Sequence, residues 1–433
     1  MYHSQEVLLT SKEKPRFTGR KLVMLNPEVS LKRLSHQAKV ASLKLANFSD
    51  YNSPDVDFSK AFEEADGIVF EKLGIAVINE NRDRQVSMLT ASTATNNSFL
   101  YSEPERYMYA MKDQFEEFLT GYKSAVDDLY NRLVKNGKEK EHVLTKQNDA
   151  NNTWGIHVTQ VPSSRYTGKG IRLAILDTGL KLSHPDFTGR IVQSSSFIGG
   201  ETEDEQNGHG THCAGISAGD INQGTGLRYG VAKDAEIYIG KVLSNAGEGT
   251  DNSIIAGLEW AMMNKCGVIS MSFGAAVDPG ETYSRIYDDL AKKALKEGSL
   301  IIAAAGNDSK RHLGHVAPVI RPANCPSIMA VAALDKSMNV ASFSCGGING
   351  DGGQVDIAAP GVDVYSSWIS PENYNTISGT SMATPYVAGI AAMLWEANPG
   401  ASASEIWMLL TQSAKRLTLN VSDVGAGLVQ APQ

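Results

Sequence analysis

The chain has 433 residues, 42% of them hydrophobic, and a formal net charge of −8. That length exceeds what one compact domain holds and implies two or three structural units. An acidic balance leaves no cationic surplus for phosphate backbones, which excludes a nucleic-acid partner, and no segment reaches the roughly 20 apolar residues of a membrane span.

The opening residues, MYHSQEVLLTSKEKPRF, contain no apolar run of signal-peptide length, so a cytoplasmic chain is expected, with another export route or a trimmed N-terminus as alternatives. KLVMLNP then reads as a strand closed by Asn-Pro, and SLKRLSHQAKVASLKLANF as a helix with Ser30 as N-cap and Leu31, Leu34, Ala38, Ala41, Leu45 and Phe48 at helical spacing. GIVFEKLGIAVIN reads as two strands around Gly74, ENRDRQVSMLTAS as a weaker helix, and SFLYSEPERYMYA as a final extended segment. This β-α-β-β-α-β order is that of a small ferredoxin-like α+β domain over residues 1–111. Residues 112–150 carry Phe115, Phe118, Tyr122, Val126, Leu129 and Leu133 on one helical face before a charged tail, which predicts a helical linker packed on its neighbour.

From residue 151 to the end, apolar runs alternate with helical stretches. IRLAILDTG, AEIYIGKVL, GVISMSFG, SLIIAAAGN, SIMAVAALD and VDIAAPG are strands of the kind buried on both faces, and the helices between them imply a parallel sheet. Functional groups of such sheets collect beyond the C-terminal strand ends, where Asp177, Gly274 and Asn307 fall. Asp177 alone could be a turn residue. In NGHGTHCAG, His209 and His212 are spaced i, i+3 with no further ligands, which is not a zinc pattern. Gly208 and Gly210 flank His209 and let it project outward from a small-residue helix, with His212 structural. Ser381 falls at the N-terminus of a helix, MATPYVAGIAAMLWEA, with Pro385 in its first turn. It could be an ordinary cap, or a nucleophile whose oxyanion is held by the same helix start. Asn307 could take a turn or present its amide to that oxyanion.

Together, AILDTGLKLSHPDF, NGHGTHCAG, AAAGN and SGTSMATPYVAG, in this order, resemble the subtilisin-like serine proteases, the subtilase family. SMSFG, ASFS, IAAPG and GAGLVQA add to the resemblance, which runs from Trp154 to Ala431. It implies a serine endopeptidase on a subtilisin-like α/β parallel-sheet domain with helices on both faces, acting on protein or peptide substrates. It also implies Asp177, His209 and Ser381 as triad and Asn307 as oxyanion donor, with no cofactor needed for catalysis. Ser272, Phe273, Gly274, Ala304, Ala305 and Gly306 would line the substrate cleft, with Gly247 and Gly249 on the opposite edge.

FLYSEPERYMYAM, with its Tyr-x-Glu-x-Glu pattern, resembles the last strand of a subtilase propeptide. That resemblance implies that residues 1–111 are an intramolecular inhibitor and chaperone domain, with autoprocessing expected near Met111. Two readings compete with hydrolysis: a binding protein kept inactive by a retained propeptide, and a peptide ligase or cyclase. Asp186 matches a calcium ligand of the family, and the loop GDINQGTG, about two residues longer than usual, stands where the other ligands belong. Glu205 replaces the customary Asp four residues before the histidine, and Tyr386 replaces a customary His. Cys213, Cys266, Cys325 and Cys345 lack CxxC spacing and read as free thiols. Glu248, Asp251 and Asp308, aligned with the cleft rim, suggest a preference for basic substrates.

Overall fold

A computed structural model describes residues 15–28, 43–51, 60–79, 98–110, 151–190 and 192–433. The helices expected over residues 80–92 and 112–150, most of the helix after Ser30, and Met111 itself lie outside the described residues.

The larger domain is built on a seven-stranded parallel sheet. Its strands are β6 (Arg172–Asp177), β7 (Val192–Ser196), β8 (Glu236–Lys241), β10 (Val268–Met271), β12 (Leu300–Ala304), β13 (Met329–Leu334) and β14 (Ile357–Pro360), in the order β14-β13-β12-β10-β6-β8-β7. Strand periodicity sends successive side chains to opposite faces. Leu173, Ile175, Ile237, Ile239, Leu300 and Ile302 pack on one face with helices α1 (His209–Ala218) and α4 (Thr380–Ala397). Ala174, Leu176, Tyr238, Ile269, Met271 and Ile301 pack on the other with helices α2 (Asp251–Met263) and α3 (Arg285–Glu297). Both faces are therefore covered, as the unbroken apolar runs require.

The smaller domain is a sheet of β1 (Phe17–Leu25), β2 (Leu45–Asn47), β3 (Gly67–Phe70), β4 (Ile75–Asn79) and β5 (Phe99–Ala110), in the order β5-β1-β4-β3-β2. Gly74 takes φ +73° in the β3–β4 turn, a conformation that disfavours side chains. One expectation is corrected here. Leu45 belongs to a short strand parallel to β3, and Phe48 opens a 3-10 turn whose Asn47 side chain accepts from the Ser49 amide. Pairing with β3 overrides helical spacing at that end.

Strand β5 ties the two domains. Its first part pairs with β1, Phe17 opposite Arg106 through Leu25 opposite Phe99. Its last residues enter the larger domain, where Tyr107, Met108 and Tyr109 face Thr250, Gly249 and Glu248 of β9 (Glu248–Thr250). On its other edge Tyr109 and Ala110 pair antiparallel with Gly274 and Phe273, the whole of β11. Glu103 and Glu105, two apart on β5, reach the starts of two helices. Glu103 accepts from the Ser284 hydroxyl (2.6 Å) and the Ile286 amide (3.1 Å) at α3, and Glu105 from the Asn252 amide (3.0 Å) at α2. Carboxylates there satisfy open N–H groups and complement the helix dipole.

Candidate active site

Asp177 is the last residue of β6, and His209 the first of α1. Gly208, at φ +98°, permits the sharp entry to that helix, and a Cβ there would meet the Trp368 ring at 2.5 Å. His209 Nδ1 lies 2.7 Å from Asp177 Oδ1, which also accepts the Thr178 amide at 2.7 Å. Those bonds orient the imidazole and leave its Nε2, buried and without a hydrogen-bond partner, as the nitrogen able to accept a proton. Contrary to the outward projection expected of it, His209 is fully buried in this state, in which both edge strands of the cleft are paired with β5.

Ser381 is the second residue of α4, fully buried, and its hydroxyl donates to the Ser272 carbonyl at 2.8 Å. Pro385 lies inside the helix rather than in its first turn. Having no N–H, it cannot bond the carbonyl four residues back, that of Ser381. The Ser272 hydroxyl takes that place at 2.9 Å, and the Cys213 thiol approaches the same oxygen at 3.6 Å. Asn307 follows β12, and its Oδ1 accepts both the Thr380 amide (3.0 Å) and hydroxyl (2.8 Å). Two donors on Oδ1 identify the other end of the side chain as the amide donor. Ala304, Ala305 and Gly306 are buried at the end of β12, with the Gly306 amide donating to Thr380 Oγ1 at 3.1 Å. Gly247 and Gly249 stand on the other edge, the Gly247 carbonyl accepting the Ala110 amide at 2.9 Å.

Glu205 lies beneath the histidine, buried, and accepts the Gly210 amide at 2.9 Å, the Thr211 amide at 2.7 Å and the hydroxyls of Thr178 and Thr211. Burial raises its pKa while the bonds to Thr178 and Thr211 oppose that rise. It caps α1 and, through Thr178, ties that cap to Asp177. Tyr386 is buried against Gly155, where an added Cβ would lie 2.0 Å from the phenol oxygen, so the larger ring is matched by a missing side chain. His212 Nε2 lies 3.1 Å from the Val364 carbonyl and 3.2 Å from that of Asn375, the structural placement expected of it.

The match to the subtilase family model spans residues 168–428, more than half of the chain. This chain belongs to the subtilase family. Subtilisin DY of Bacillus licheniformis is 38% identical over 263 residues, 60% of this chain and 90% of that one. Subtilisin Savinase of Lederbergia lenta is 39% identical over 282 residues, 64% of this chain and 96% of that one. Among solved structures, sphericase superposes with a TM-score of 0.56 at 32% identity, over 64% of this chain and 98% of that one. The protein is thus a subtilisin-like serine protease, and none of its helices among the described residues is long and apolar enough to cross a membrane.

Two site expectations for this subtilase change. Asp251 is not an open rim carboxylate: it is fully buried and holds Arg321 (3.1 Å), the Tyr287 hydroxyl (2.9 Å) and the Arg106 amide (2.9 Å). Asp186 does not suit a calcium ion. Its Oδ2 accepts the Tyr229 hydroxyl at 2.6 Å, and the Tyr374 hydroxyl lies 3.0 Å from both oxygens. In the loop, Asn222 Oδ1 accepts the Gly224 and Thr225 amides, and its carbonyl accepts that of Gly226. A calcium ion needs six or more oxygens turned toward it, and here those of Asp186 and Asn222 are turned to N–H and O–H groups. Among the described side-chain oxygens of the loop, Asp220 Oδ1 alone is buried without a partner. The four cysteines are free, and burial pushes the Cys213 thiol well above its usual pKa, which keeps it protonated beside His209.

Proposed function

We propose that this protein cleaves internal peptide bonds through Asp177, His209 and Ser381, and that residues 1–111 are a propeptide removed by the same site near Met111. The observation that carries this reading is β5, an extended strand paired on both cleft edges and running toward Ser381. Substrates of such clefts bind by the same strand addition.

In the reaction the Ser381 hydroxyl leaves the Ser272 carbonyl and turns to His209 Nε2, which takes its proton as the oxygen attacks the scissile carbonyl. Asp177 holds the imidazole through Nδ1 and stabilises the imidazolium. The Asn307 amide and the Ser381 N–H receive the oxyanion; loss of the equivalent asparagine in subtilisin is known to cost about 10²–10³ in turnover. His209 then protonates the leaving amine, and water resolves the acyl-enzyme. No cofactor enters these steps.

The alternative, a propeptide retained as a lasting inhibitor, draws support from the Glu103 and Glu105 contacts with α3 and α2. Intact mass over time separates the two. Wild type should split near Met111 while Ser381→Ala stays whole; if both stay whole, the retained-inhibitor reading replaces this one.

A further inference from the structure

The sequence suggests a taste for basic substrates through Glu248, Asp251 and Asp308, yet Asp251 is occupied by Arg321. A different acidic position answers the description. Arg106 stands on β5 five residues before Met111. Its amide donates to Asp251 Oδ2 at 2.9 Å, and its guanidinium Nη2 makes an ion pair with Glu281 Oε1. Asp251 and Glu281 both belong to the larger domain, so one residue of the strand is read twice, by backbone and by side chain.

The larger domain builds this position with its own bonds. Asp251 is fixed by Arg321 and Tyr287. The Asp278 amide donates to Glu281 Oε2 at 3.0 Å, the Glu281 amide returns to the Asp278 carbonyl at 2.9 Å, and Asn349 Nδ2 donates to the Glu281 carbonyl at 3.0 Å. Glu281 Oε1 is left pointing at Arg106. A second cation on Glu281, Arg16, bonds Asp278 at 2.9 Å and Glu281 at 3.1 Å, and it too comes from the N-terminal domain. Burial alone would raise the Glu281 carboxyl, but the Asp278 amide and the Arg106 and Arg16 guanidinium groups bring it below its ordinary value. Departure of residues 1–111 removes both arginines at once and leaves Asp278 and Glu281 without those cationic partners.

Resting on the protease reading above, we infer that Glu281, beside the strand amide held by Asp251, forms a distal substrate subsite that selects arginine or lysine at the sixth residue before the scissile bond. That is the place of Arg106 when the bond after Met111 is cut. Arg106 uses a single nitrogen on Glu281, a point contact that a lysine ammonium makes as well. The carboxylate is partly covered, with 24% side-chain exposure, which places the pair above a fully solvated surface contact.

The test uses the self-processed enzyme and three peptides of sequence EPEXYMYAMKDQ, with X as Arg, Ala or Glu. The expected kcat/KM for Arg exceeds that for Ala by roughly five- to tenfold, with Glu lower still; such a factor is usual for a partly buried charge-assisted bond. In Glu281→Gln the Arg-to-Ala ratio should fall toward one, and in Glu281→Lys the Glu peptide should overtake the Arg peptide. Equal cleavage of all three by wild type, or an unchanged ranking in both variants, overturns the subsite and leaves the protease reading intact. Cleavage of none by wild type, or of all by Ser381→Ala, overturns that reading and the subsite with it.

Discussion

Single side chains in this protein do work that backbone usually does. Pro385 leaves the Ser381 carbonyl for the Ser272 hydroxyl, and Glu205 supplies the acceptor for the first amides of α1. A buried carboxylate with four donors is costly to remove, because each donor is left unsatisfied in a dry site. Glu205→Ala should therefore destabilise the chain by about 3–5 kcal/mol, read as a fall in denaturation midpoint in the Ser381→Ala background; a change under about 1 kcal/mol would show that the cap is not needed. At Asp186 two phenols stand where an ion would. The effect of EDTA on Tm should be the same in wild type and Asp186→Asn, whereas Tyr229→Phe should cost about 1–3 kcal/mol by removing the shorter of the two donors to a buried carboxylate oxygen. An EDTA effect that disappears in Asp186→Asn would restore calcium to this place. Asp177, His209, Asn307 and Ser381 were legible in the sequence because each sits in a short motif at a strand or helix end. The tyrosine pair was not, since Tyr229 and Tyr374 are far apart in the chain and mark no local pattern. Arg106 with Glu281 was hidden for the same reason.

Among the elements, strands buried on both faces announced themselves as apolar runs. β7, VQSSS, did not: among the described strands it lies at the sheet edge beside β8, and its sequence after Val192 is entirely polar. The turn between β3 and β4 docks on α2, where Glu259, buried, accepts the Leu73 amide at 3.1 Å. Burial raises the Glu259 carboxyl from 4.5 to about 7, against the opposing bonds from the Leu73 and Lys72 amides, the Lys72 charge, and with Glu71 adding a little. The docked state thus holds a proton that the undocked carboxyl releases near pH 4.5. Docking is favoured below that pH, and it weakens by roughly tenfold per pH unit as pH rises from about 4.5 to about 7, then levels off. In the self-processed protein, the fraction of enzyme still inhibited at equilibrium should fall over that range. Glu259→Gln should flatten the profile, and a wild-type profile already flat would remove Glu259 as its cause.

On the scale of the molecule, the two domains share one core. Phe48 and Phe70 lie 5.1 Å apart in the N-terminal sheet, Phe48 is 6.2 Å from Phe197, Phe197 is 6.0 Å from Trp260, and Trp260 is 5.9 Å from Tyr238 on β8. Leu22, Met24, Ile75 and Val77 join the same cluster as Leu176, Ile254 and Met271, so apolar packing crosses from one sheet to the other without a break. β5 adds a backbone seam alongside it. Packing of this kind makes unfolding cooperative, because neither domain can lose its core without exposing the other's. The Ser381→Ala chain should therefore melt in a single calorimetric transition. Phe48→Ala opens a cavity where the aromatic path crosses from one domain to the other and should cost about 3–5 kcal/mol. The loss falls on the seam, so the transition should divide, with the β1–β5 sheet melting first and the parallel sheet near its original temperature. Two transitions already present in the parent would show that the shared core does not couple the domains. A single transition in Phe48→Ala, merely shifted down, would place the coupling in β5 and the Glu103 and Glu105 caps instead.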